Sequence, residues 1–95
     1  VELAKEIKPP PVEGLAARAG RGMVRLSWTP VSPYGQATYT VYRWQGEDPP
    51  EPIRTTEASL ISDRVGSGTW KYLVTATDSL GVESEDSQAL TVRVR

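Results

Sequence analysis

A chain of 95 residues with no cysteine and no histidine has room for one domain and no means of forming a disulfide, a thiolate zinc site or a cysteine nucleophile. Its 11 basic and 12 acidic residues are scattered and leave a net charge of -1, which gives no electrostatic footprint for nucleic acid or anionic lipid. No apolar run approaches the roughly 20 residues that span a bilayer, and the opening VELAKEIK lacks the basic and apolar regions of a signal peptide, so no membrane insertion by this chain is expected.

Val1 to Lys8 mix apolar and charged residues over barely two helical turns, too few to hold a helix in isolation. Pro9, Pro10 and Pro11 follow. They form a stiff, extended lead, so residues 1–10 read as a proline-rich lead or the end of a preceding module, and 11–95 as the domain. Leu15 and Ala17 take the inward positions of a first strand, and Gly20 to Gly22 turn the chain into a second, MVRLSWT, where Val24, Leu26 and Trp28 alternate inward. Trp28 shares their parity and reads as core. Pro30 and Pro33 end that strand and begin a loop holding Tyr34 and Gly35.

The next strand, ATYTVYRW, sets Tyr39 and Val41 on one face and Thr40, Tyr42 and Trp44 on the other. Pro52 to Thr56 read as a short edge strand and Ser59 to Asp63 as a fifth strand, after which glycines at 66 and 68 turn the chain again. The stretch GTWKYLVTATDSLGVES then places Trp70, Tyr72, Val74 and Ala76 on an inner face, with Lys71, Leu73, Thr75 and Thr77 on the outer one. In QALTVRV, Leu90, Val92 and Val94 point inward while Ala89, Thr91 and Arg93 point outward. Short strands divided by turn signals, with no long helical period, predict an all-β domain.

Four segments resemble the fibronectin type III family in order and spacing: the lead PPPVEGL, the stretch LSWTP with Trp28, the stretch YTVYR, and the aromatic strand with its Asp78 and Gly81. The resemblance covers about Pro11 to Arg95 and implies a seven-stranded, two-sheet Greek-key sandwich of immunoglobulin-like architecture. Two features depart from the family pattern. Trp70 stands where the family has a tyrosine that hydrogen-bonds back across the corner between the fifth and sixth strands, so an indole N–H must replace a hydroxyl. The connection from Asp63 to Trp70 is also short, which predicts a tight turn.

In this fold the strand of Tyr42 and Trp44 pairs with the strand of Leu73, and Arg93 points the same way. These four residues are expected to form an exposed apolar stripe, with Arg93 over an aromatic ring. The stripe is the first candidate partner-binding surface, weighed against cross-strand pairing that merely stabilises the sheet. A second candidate is the loop end that presents Tyr34, Leu80 and Val82. Neither a Gly-x-Ser-x-Gly elbow nor a Ser-x-x-Lys pair occurs, so no catalytic residue is assigned. Glu83, Glu85 and Asp86 read as a solvated face, and no metal or other cofactor is assigned.

The resemblance therefore implies a non-catalytic spacer, adhesion or protein-interaction module, monomeric as an isolated domain. The style of the aromatic strand is closer to modules of bacterial extracellular enzymes, lipoproteins and surface proteins than to animal matrix repeats. A larger extracellular, periplasmic or cell-surface protein is the expected setting, with a neighbouring domain as partner. A carbohydrate-binding accessory module using Tyr42 and Trp44 is the alternative function.

Overall fold

The computed structural model describes residues 9–31 and 37–95. Tyr34 and its neighbours in the second loop lie outside the described residues, as do Val1 to Lys8. Seven strands follow in chain order: β1 (Glu13–Gly20), β2 (Met23–Thr29), β3 (Thr38–Trp44), β4 (Glu51–Thr56), β5 (Leu60–Arg64), β6 (Gly68–Thr77) and β7 (Leu90–Val94). They form two antiparallel sheets, one ordered β1-β2-β5 and the other β4-β3-β6-β7. The all-β domain predicted by the alternation is observed, and so is the seven-stranded, two-sheet sandwich that the resemblance implied.

The inner faces meet as the period of two requires. Val24, Leu26, Trp28 and Ile61 from the first sheet pack against Tyr39, Val41, Tyr72, Val74, Ala76, Val92 and Val94 from the second. Burying each of these larger side chains contributes about 1.5–3 kcal/mol, and Leu26→Ala would cost about 2–5 kcal/mol because its neighbours cannot collapse into the space. Trp28 and Tyr39 meet edge to face with centroids 5.5 Å apart, and the Tyr39 hydroxyl accepts a hydrogen bond from the Val31 amide at 2.8 Å. Among the described residues the Trp28 indole N–H has no hydrogen-bond partner.

Two local devices shape the strands. Between Glu13 and Ala16 the β1–β2 register shifts, and Gly14 supplies the positive φ of 72° that this bulge needs. After β6, Asp78 closes the turn: its Oδ1 accepts from the Leu80 and Val82 amides, both at 2.9 Å. Gly81 takes φ 85° there. The connection from β5 to β6 is the tight turn expected, occupying only 65–67.

The inward parity of Trp70 is only partly realised as burial. Trp70 packs half-buried against the margin of the core, and its indole N–H donates to the Gly66 carbonyl at 2.9 Å. A donor aimed four residues back across the corner thus holds the turn in place of a hydroxyl.

Candidate functional site

On the outer face of β3-β6-β7, Tyr42 and Leu73 stand directly opposite each other, and Trp44 pairs with Lys71 one row further. The expected exposed stripe is not what results. Leu73 is only 6% exposed, Thr75 is buried although it faces outward, and Tyr42 and Trp44 are half-buried. The cause is the segment after the β6 turn. Glu83 Oε2 accepts from the Tyr42 hydroxyl at 2.7 Å and from Thr75 Oγ1 at 2.5 Å. Tyr42 and Glu83, together with Pro50, Ser84 and Asp86, line a shallow depression of about 280 Å³ over Leu73. Glu83 is therefore a clasp rather than part of a merely solvated face. The hydrogen bond to Glu83, followed by burial, raises the Tyr42 hydroxyl above its ordinary pKa.

The same segment closes the edge of β6 with side chains where a regular ladder would use backbone. The Ser84 amide donates to the Ala76 carbonyl at 2.7 Å, and the Ser87 amide donates to the Val74 carbonyl at 3.1 Å. In return, Ser84 Oγ accepts from the Ala76 amide and Ser87 Oγ from the Val74 amide, both at 2.9 Å. The serines are three residues apart while their partners are two apart, so the edge carries an extra residue. The hydroxyls satisfy amides that the slipped register would leave unpaired.

Arg93 lies exposed opposite Thr69. The cation–π contact among the described residues belongs to Arg43 instead, 5.1 Å from the centroid of Trp70. Arg43 shares inward parity with Val41. Its Nη1 donates to both carboxylate oxygens of Asp63 at 3.0 and 2.8 Å across the sandwich, and the Tyr72 hydroxyl donates to Asp63 Oδ2 at 2.7 Å. Asp63 is 8% exposed. Burial, followed by the bond to Asp63, pushes the Tyr72 hydroxyl well above its ordinary pKa. The pair fastens one sheet to the other and presents no open face.

Leu80 projects from the turn after β6 and is 86% exposed, while Val82 is half-buried. The residues that sequence reasoning missed are Arg43, Asp63, Ser84 and Ser87, while Glu83, expected only on a solvated face, bonds Tyr42 and Thr75. Arg43 and Asp63 each continue the inward parity of an apolar strand, and that signal would have found them. Also missed was the outer face of β1-β2-β5, where Arg18, Arg25 and Arg64 alternate outward with Leu60 beside them.

No protein-family model matches the chain, and no curated protein matches it in sequence. Solved structures do match in fold. The fibronectin type III domain of human fibronectin type III domain containing protein 3 superposes with a TM-score of 0.80 at 16% identity, over 96% of this chain and 90% of that one. A Fn3-like protein from Clostridium thermocellum gives 0.70 at 22% identity, over 88% and 91%. A β-1,2-glucanase from Parabacteroides distasonis gives 0.74 at 22% identity, over 92% of this chain but 12% of its own length. The fold is that of the fibronectin type III domain, an immunoglobulin-like β-sandwich.

Proposed function

We propose that this chain is a non-catalytic spacer and protein-interaction module of a larger multidomain protein. The observation that carries the reading is where the chain enters and leaves. Glu13 pairs with Thr29 at the end of the sandwich that also holds Thr38 and Thr77. Val94 pairs with Gly68 at the opposite end, which also holds the Gly20–Met23 turn and Arg64; there the Val65 amide donates to the Gly22 carbonyl at 3.1 Å. A module threaded from end to end sets its neighbours apart by its own length.

The likeness to a small part of a much longer chain supports the multidomain setting. Leu80 lies at the entry end, where a preceding module would cover it. To test the reading, the chain is joined to a compact reporter protein at each end and studied by small-angle X-ray scattering. A two-lobed pair-distance distribution is expected, and reporters packed side by side would refute the spacer role.

A further inference from the structure

The outer face of β1-β2-β5 is the least explained surface of the molecule. Arg18 stands directly opposite Arg25, Arg25 opposite Ser62, and Arg64 opposite Met23 two pairs along the ladder, on the same face. Given the spacing of strands and of alternate residues, the three arginines share a patch on the order of 10 Å across. Like charges directly opposite on a sheet destabilise it. The outward positions of these strands around the patch are alanine, serine, methionine and leucine, with no acid among them. None of the three arginines forms an ion pair with a described residue, where Arg43–Asp63 is the pair present.

Beside the arginines, Ala16, Ala17, Ser27 and Leu60 complete an open depression of about 340 Å³ with Arg18 and Arg25. Leu60 is 59% exposed. A second depression continues from Arg18 and Arg25 to Arg21 in the adjoining turn. The chain as a whole carries -1, so this concentration of positive charge is local and is set against acids elsewhere.

We propose that this face binds an acidic polypeptide segment, its carboxylates held by Arg18, Arg25 and Arg64 and an apolar side chain seated against Leu60 and Ala16. The planar guanidinium fork matches a carboxylate in two parallel hydrogen bonds, and the occupant removes the Arg18–Arg25 repulsion. The exposed leucine favours a polypeptide over nucleic acid or a sulfated glycan, whose charged backbones offer nothing to cover it. The proposal rests on the interaction-module reading and names its face and partner class. Failure of binding here would leave the scattering test of the spacer role untouched.

The probe is a fluorescein-labelled twelve-residue peptide of repeated Glu-Glu-Leu, titrated with the intact chain at low and physiological salt and read by anisotropy. Saturable binding is expected that weakens with salt. It should fall by about tenfold or more in the Arg25→Glu, Arg64→Glu double variant. Leu60→Ser should weaken this peptide but not an all-glutamate peptide of the same length. Because the substituted side chains are exposed and Arg25→Glu places an acid opposite Arg18, the variants should melt no lower than the parent. Amide shift changes in the parent should be confined to β1, β2 and β5. Absence of binding at low salt, shift changes centred on other strands, or tighter binding of a DNA duplex or dextran sulfate than of the peptide would each overturn the proposal.

Discussion

Asp63→Ala removes the acceptor of three hydrogen bonds at once, two from Arg43 and one from Tyr72. Tyr72 is fully buried, so its hydroxyl cannot turn to water, and the Arg43 guanidinium is left on the inner face without its counter-charge. Removing one partner of a buried ion pair costs about 3–5 kcal/mol. The Arg43 side chain is 24% exposed, which places the expected loss near the lower end, about 3 kcal/mol. For a domain of this size each kcal/mol moves the melting temperature by 4–8 °C, so the drop should be about 12–24 °C.

Urea denaturation followed by tryptophan fluorescence should show a lower midpoint with an unchanged slope. The cost comes from orphaned groups rather than from the value of the pair itself. The triple variant Arg43→Met, Asp63→Leu, Tyr72→Phe should therefore be more stable than Asp63→Ala alone. A loss under about 1 kcal/mol in the single variant, or a triple variant no better than the single one, would refute the reasoning.

Ser84→Ala and Ser87→Ala should each destabilise by about 1–3 kcal/mol, because each strands a buried amide, that of Ala76 or Val74. Hydrogen exchange should quicken first at those two amides. The raised Tyr72 hydroxyl keeps its proton in the folded chain where the unfolded chain has lost it. Its contribution to stability is therefore complete below a pH of about 10 and declines as pH rises further. Tyr72→Phe should flatten that alkaline decline, and tyrosinate absorbance in the parent should lag behind that of the unfolded chain. Gly14→Ala should cost more than about 1 kcal/mol in urea denaturation, the position being one where alanine must adopt positive φ. A Cβ there would also stand 2.5 Å from Thr29 Oγ1.

Parity was legible and cover was not. Val24, Leu26, Tyr39, Val41, Tyr72 and Val74 are buried as their alternation predicts, because a pleated strand can show only two faces and one had to be apolar. Leu73 and Thr75 obey the same rule in direction yet are buried on the outer side. That outcome depends on Glu83, eight residues beyond Thr75, reaching back to a hydroxyl and a phenol, and no local period encodes such a return. The expected partner of Arg93 failed similarly, since a cation–π contact depends on which ring is near rather than on which face a strand presents. Arg43 lay hidden in plain sight: a charged residue with inward parity calls for a partner on the facing sheet, and Asp63 carries that parity too. The arginine face was overlooked because net charge averages over a surface that the fold sorts by side.

The end-to-end path of the chain, entering at one end of the sandwich and leaving at the other, is open to direct measurement. The absence of cysteine allows clean spin labelling of a Glu13→Cys, Arg95→Cys variant for pulsed dipolar spectroscopy. From the strand rise, the two backbone positions should lie roughly 30 Å apart, with a narrow distribution that broadens and lengthens in urea. A narrow distance well under 20 Å, with both labels at one end, would contradict it.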